Sequence, residues 1–263
     1  MNNKIQLIIF DWAGTTVDYG SFAPVEAFLQ AFDKFGINVT TEEIRKPMGM
    51  LKRDHIKAVL SMDRIKKQWQ EKYGQDFTEA DVDKVYLESE KLIMKILYNF
   101  TKPKPYVIET VEELRNLGLK IGSTTGYTNG MMQIVTEKAK EAGYEPDFFI
   151  TPNDVNNLGR PYPYMIYENM RRFKVLSCKN VIKVGDTIAD IKEGKNAGVI
   201  TVGIIEGSSI MGYSKEEYDN LDESTKEKAI SMVTNKYKEA GADYIVHDIR
   251  EVLNIVKDIN EKI

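Results

Sequence analysis

Six short apolar runs, set apart by stretches of helical periodicity, lay out the plan of this chain. The first, Lys4 to Phe10, is dense in β-branched and apolar residues, the pattern of a strand buried on both faces. Five more follow at Leu119–Thr124, Phe148–Ile150, Val181–Val184, Val199–Ile204 and Tyr244–Val246. Between the first run and the second the period changes. Val25, Phe28, Leu29 and Phe32 share one face of a helix predicted over Phe22–Phe35, with Pro24 near its start, where a missing N–H costs little. Thr40-Thr41-Glu42-Glu43 supplies a capping box for a short helix, and Lys46-Pro47-Met48-Gly49 interrupts it. Helical spacing resumes over Leu51–Ser61 and Arg64–Tyr73, and Thr78 caps a long helix through Tyr98.

Past a hinge-like Thr101–Pro105, helices over Val107–Asn116 and Met131–Ala142 alternate with the remaining strands. A last helix is predicted within Asp248–Ile263, with Val252, Leu253, Ile255 and Val256 as packing positions. Such alternation implies right-handed βαβ units and a mostly parallel sheet. Ser214–Glu239 reads as a charged, solvated outer element. The expected fold class is α/β: a Rossmann-like, mostly parallel core from residues 1–20 and 100–263, interrupted by a helical insertion at 21–99. An insertion directly after the first strand sets its helices above the carboxyl edge of the sheet. The aromatic face of the first inserted helix, Phe22, Phe28 and Phe32, is expected either to form the insertion's core or to serve as an interface.

Composition narrows the field. A net charge of −4 gives no electrostatic reason to expect nucleic acid or an anionic membrane as partner. Cys178 is the only cysteine, which rules out an intrachain disulfide and suits a reducing cytosol. No signal-like leader or membrane-length apolar run is evident, so a soluble cytoplasmic protein is expected.

Chemistry gathers where strands end, the place where open α/β sheets bind ligands. Asp11 closes the first run, within F-D-W-A-G-T-T-V-D-Y-G. Ser123-Thr124-Thr125-Gly126-Tyr127 offers a hydroxyl and amide N–H groups suited to phosphate oxygens. Arg160, in G-R-P-Y-P, offers a fork of donors for an anion. In V-G-D-T-I-A-D, Asp186 and Asp190 stand four apart across a turn entering a helix, a spacing that lets one bind a hard cation and the other hold its waters. Magnesium is the natural candidate. Taken singly, Asp186 reads equally as a helix cap and Arg160 as a surface arginine.

In this order the motifs resemble the haloacid dehalogenase superfamily, whose members mostly transfer phosphoryl groups through an aspartyl-phosphate. The resemblance spans the whole chain, since the helical insertion matches that family's cap. It implies Asp11 as nucleophile, Thr125 as phosphate-binding hydroxyl and Arg160 as the basic residue. It also implies Mg2+ held by Asp11, Asp186 and the Ala13 carbonyl, with Thr187 and Asp190 behind them. One position departs. Phosphatases of the family carry a second acid two residues after the nucleophile, and here that residue is Ala13. A leaving group needing a proton cannot take one from alanine.

The insertion offers a substitute. In R-K-P-M-G-M-L-K-R-D-H, Lys52 and His55 lie three apart on one helical face. A lysine of depressed pKa can condense with a carbonyl, and the iminium turns an adjacent carbon into a leaving group, its electrons passing into an enamine. Arg53 and Lys46 are expected to help depress that pKa, and His55 to move protons with a pKa near working pH. The resemblance places Met48, Gly49, Gly126 and Tyr127 against the substrate, gives Ser21 only a hinge position, and implies a homodimer. The expected reaction is hydrolysis of a carbon–phosphorus bond in a small phosphonate bearing an aldehyde, with Asp11 and Lys52 in covalent roles. A conventional phosphatase or phosphomutase of the same superfamily, and a non-catalytic binding module, stand as alternatives.

Overall fold

The computed structural model of the protein describes residues 4–261. Leu7, Ile8, Ile9 and Phe10 form β1 (Leu7–Phe10) and are wholly buried, as an unbroken apolar run requires. Five helices fall within residues 21–99: α1 (Phe22–Lys34), α2 (Thr41–Arg45), α3 (Lys52–Leu60), α4 (Asp63–Tyr73) and α5 (Glu79–Ile96). Thr40 and Thr78 each close a capping box, with Glu43 and Asp81. The sheet then resumes through α6 (Val107–Asn116), β2 (Lys120–Thr124), α7 (Asn129–Glu141), β3 (Phe148–Ile150), α8 (Tyr164–Phe173), β4 (Val181–Gly185), α9 (Ile188–Ala197) and β5 (Ile200–Ile204). It ends with α10 (Lys215–Asn220), α11 (Glu223–Glu239), β6 (Tyr244–Val246) and α12 (Glu251–Glu261). The helix expected to reach Ile263 leaves the described residues after position 261, as do residues 1–3 of the expected core range.

Six parallel strands form one sheet in the order β3-β2-β1-β4-β5-β6. β1 lies in the middle, paired with β2 and β4, so Phe10 stands level with Ser123 on one side and Val184 on the other. The chain reverses its direction of travel across the sheet here, and the crevice of an open α/β sheet forms at such a switch. The residues just past the ends of β1, β2 and β4 are thereby brought together.

Two expectations are corrected. Ser214–Glu239 is not merely a solvated outer element. Ala229, Val233 and Tyr237, spaced four apart, give α11 a buried face, and the Tyr237 hydroxyl donates to the Ile204 carbonyl at 2.8 Å. Its charges populate the opposite face, which masked the apolar stripe in sequence. The open alternative for the first helix closes as well: Phe28 and Phe32 are buried among the inserted helices, and only Phe22 keeps partial exposure. α8, which follows Pro163 directly, was not singled out from the pattern.

Candidate active site

Asp11 follows β1 directly, and its amide N–H donates to the Val184 carbonyl at 3.0 Å, fixing it against β4. The chain then turns sharply, with the Trp12 carbonyl accepting from the N–H groups of Thr15, Thr16 and Val17. Gly14 makes this turn possible. Its φ is +86°, and a Cβ there would overlap the carboxylate of Asp186. The close approach lets the Thr15 hydroxyl donate to Asp186 Oδ1 at 2.9 Å, while the Ser209 N–H donates to Oδ2 at 2.8 Å.

Oxygens of Asp11, Asp186 and Asp190, all buried, lie within 4.8 Å of one another. Burial, with the charges of Asp11 and Asp190, pushes Asp186 up to about 7. Crowded carboxylates of this kind suit a hard divalent cation, and an all-oxygen donor set favours magnesium over softer metals. Asp190 is otherwise engaged. Its Oδ1 accepts from Lys183 at 2.6 Å and forms an ion pair with Arg160 Nη1 at 3.1 Å, and its Oδ2 takes the Thr187 hydroxyl at 2.6 Å and N–H at 3.1 Å. Thr187, rather than Asp186, is the cap of α9, and Asp190 completes its capping box. Burial raises the Asp190 pKa, but Arg160 and Lys183 more than reverse this, holding it below the usual range. Both oxygens of Asp190 thus accept from protein donors, tying it to Lys183 and to Thr187 at the start of α9.

Arg160 lies against Asp11. It donates to Asp11 Oδ1 at 2.6 Å, to the Thr124 carbonyl at 2.9 Å and hydroxyl at 3.0 Å, and to Glu193 at 3.1 Å. The guanidinium is thus largely consumed in holding carboxylates. Lys183 and Glu193 are both buried in this network, and the sequence reading passed over them. A lysine inside an otherwise apolar strand was the available signal for Lys183. Thr125 stands at the end of β2 and accepts from the Tyr127 N–H through its hydroxyl at 3.1 Å.

The inserted helices close over this edge. Gly49 reaches the N-terminus of α9. Its φ is +88°, and a Cβ would overlap the Thr187 hydroxyl. A Cβ on Gly126 would stand 3.4 Å from the Met50 carbonyl, so the two loops meet backbone to backbone. Met48 is buried beside them. Lys52, the first residue of α3, is buried, with Nζ 5.0 Å from the Tyr127 ring centroid and 5.7 Å from that of Phe28. Burial lowers its pKa to about 8. Arg160 contributes to the lowering, and Asp11 and Asp18 oppose it. Arg53 and Lys46, expected to supply that effect, point elsewhere: Arg53 pairs with Glu79 and Asp83, and Lys46 approaches Glu42, all at the surface.

His55 departs furthest from expectation. Its ring packs on Phe28 at 4.5 Å in the interior, and neither nitrogen makes a well-formed hydrogen bond. Burial, and secondarily the charge on Lys52, depresses its pKa to about 3, so the imidazole is neutral at working pH. The expectation of a pKa near neutrality is corrected. A cleft of about 440 Å³ opens beside Lys52, lined also by Leu51, Tyr86, Gly126, Tyr127 and Asn153.

Ser21 sits at the turn into α1 but makes no side-chain cap. Asp18 does that work, accepting from the Phe22 and Ala23 N–H groups at 3.0 and 3.1 Å. Burial raises Asp18 to about 7. On the return crossing Lys104 is buried and donates to the carbonyls of Gly14 at 2.5 Å and Glu206 at 2.7 Å.

A carboxylate after the first strand, a hydroxyl after the second, a buried arginine and an acid pair after the fourth meet at one edge of the sheet. A family model of haloacid dehalogenase-like hydrolases matches residues 5–198, and the chain belongs to that family of enzymes. Within it, the chain is 47% identical over 260 residues to the phosphonoacetaldehyde hydrolase of Lysinibacillus sphaericus, covering 99% of this chain and 97% of that one. It is 49% identical over 261 residues to the bifunctional phosphonoacetaldehyde hydrolase/aminoethylphosphonate transaminase of Clostridioides difficile, of which it spans 41%. Among solved structures, a phosphonoacetaldehyde hydrolase like protein from Oleispira antarctica superposes with a TM-score of 0.95 at 33% identity, over 98% of this chain and 93% of that one.

Proposed function

We propose that the protein hydrolyses the carbon–phosphorus bond of phosphonoacetaldehyde to acetaldehyde and phosphate. One observation carries the reading: the acid expected two residues after Asp11 is Ala13, while a buried lysine of lowered pKa, Lys52, stands over the same edge in electrostatic contact with Asp11. The full-length similarity to phosphonoacetaldehyde hydrolases supports it. So does the family's chemistry at Asp11.

Residues 21–99 act as the cap and the remainder as the core. Lys52 Nζ attacks the aldehyde as the free amine and loses water to give the imine, Tyr127 and Met48 enclosing its carbon chain. Asp11 attacks phosphorus in line. The C–P electron pair passes into the protonated imine and leaves as an enamine on Lys52, which is why no acid is needed at position 13. Water then cleaves the aspartyl-phosphate, and protonation and hydrolysis of the enamine release acetaldehyde. Thr125 and the Gly126 amide receive phosphonate oxygens, and Arg160 holds Asp11 on its attack line. Asp11, Asp186 and the Ala13 carbonyl would hold Mg2+, which when bound neutralises phosphonate charge, with Thr187 and Asp190 ordering its surroundings. His55, neutral and buried against Phe28 one helical turn from Lys52, supports the helix that carries the amine. We assign the enzyme to the cytoplasm as a homodimer. Among the described residues no helix is long and apolar enough to cross a membrane.

The deciding assay incubates the protein with phosphonoacetaldehyde and magnesium and measures both products. Equimolar phosphate and acetaldehyde are expected. Efficient hydrolysis of simple phosphate monoesters, with no acetaldehyde from the phosphonate, would favour a conventional phosphatase instead.

A further inference from the structure

Arg45, the last residue of α2, belongs to the inserted helices, yet both its hydrogen-bond acceptors belong to the core. Its Nη1 donates to the Gly20 carbonyl at 2.7 Å, at the outgoing crossing, and to the Ser209 carbonyl at 3.0 Å. The guanidinium lies over the Phe22 ring, its carbon 4.9 Å from the centroid, and packs against Gly212, where a Cβ would stand 3.0 Å from Nε. Nε and Nη2 are buried and unpaired among the described residues. An arginine placed with donors to spare is poorly explained as a simple tether, since a neutral donor would make the same two bonds at less desolvation cost.

Ser209 explains the placement. Its carbonyl takes the Arg45 bond, and its N–H is one of the two groups holding Asp186, at 2.8 Å from Oδ2. Gly20, the other acceptor, is itself tied to the same loop, its N–H donating to the Gly207 carbonyl at 2.8 Å. One residue therefore separates a charged side chain of the inserted helices from a carboxylate at the base of the crevice. The charge of Asp186 also acts on Arg45 directly.

We propose that Arg45 is a positioning residue for the reaction, which on closure of the inserted helices fixes Ser209 and so sets Asp186 for its metal. The inference rests on the reading of Asp186 as a magnesium ligand. When the inserted helices lift to admit substrate, the guanidinium withdraws, and the Ser209 peptide loses the bond that orients it. Closure over Lys52 and preparation of the metal carboxylate then become one event.

The test combines calorimetric titration of magnesium into the free enzyme with steady-state kinetics and borohydride trapping on Lys52. Arg45→Met is expected to weaken magnesium binding by about tenfold and to lower kcat by a similar factor, the range seen when groups behind metal ligands are removed. Trapping on Lys52 should stay near the wild-type level. Arg45→Lys, which keeps one donor and the charge, should recover part of both losses and serves where Arg45→Met folds poorly. A fall in Tm with magnesium affinity and kcat unchanged would make Arg45 a structural tether and overturn the proposal. Asp186→Asn separates the two readings. If it binds magnesium like the wild type, the metal assignment itself falls and the coupling with it. If it loses magnesium while Arg45→Met does not, only the coupling falls.

Discussion

In the proposed reaction Lys52 is the amine nucleophile, and its surroundings remove the reasons a lysine has for staying charged. It is buried against two aromatic rings, starts a helix whose dipole opposes positive charge, and feels Arg160, and these outweigh Asp11 and Asp18. With its pKa lowered to about 8, the reactive free amine grows as pH rises toward that value and saturates above it. Borohydride trapping should therefore climb about tenfold per pH unit below 8 and level off beyond, and a flat profile from neutrality upward would contradict the assignment. Lys52→Arg keeps a cation but cannot form the imine, so phosphate release should drop on the order of 10³-fold or more. Loss of less than about tenfold would exclude a covalent role. Metal removal separates the two half-sites. Chelation should abolish phosphate release yet leave trapping on Lys52 intact, because only the transfer at Asp11 needs the cation. Trapping that vanishes with the metal would place the cation at the amine instead.

Elements explain why some of these residues were legible in the chain and others were not. The six strands showed as apolar runs, and Asp11, Thr125 and Asp186 showed because each follows such a run, so parallel register alone brings them together. The supporting charges follow no local pattern. Glu193 meets Thr124 across 69 residues and Lys104 meets Gly14 across 90, so their partners come from segments no window spans. His55 was misread for a related reason: helical spacing places it beside Lys52, but only packing against Phe28 from another helix makes the site dry. Asp18 is the clearest omission. It follows the nucleophile turn in a stretch that reads as loop, yet it supplies the acceptors for the first N–H groups of α1, where Ser21 supplies none. Asp18→Ala should cost about 1–2 kcal/mol in urea unfolding, the range for a lost N-terminal cap. An unchanged midpoint would show that α1 is held by packing alone.

The whole molecule sets a sheet edge bearing Asp11, Thr125 and Asp186 against a set of inserted helices bearing Lys52, and in the proposed reaction the two must meet. The meeting is made of backbone. Gly49 lies against Thr187 and Ala189 at the start of α9, and the Gly49 and Met50 carbonyls face Gly126 in the loop after β2. A side chain at position 49 would strike the Thr187 hydroxyl and also strain a backbone at φ +88°. Gly49→Ala should therefore oppose closure while leaving both half-sites chemically intact. Strain of this kind amounts to about 1–3 kcal/mol, and each 1.36 kcal/mol is tenfold in rate, so kcat/KM should fall about 10- to 100-fold. Because the clash exists only when the helices are down, the variant can relieve it by opening, and the loss should appear in turnover more than in Tm. Small-angle scattering would then report a more extended particle for Gly49→Ala than for the wild type at equal concentration. Wild-type kcat/KM together with an unchanged scattering profile would mean that the two loops yield to a methyl group, and that closure does not depend on the fit between Gly49 and the start of α9.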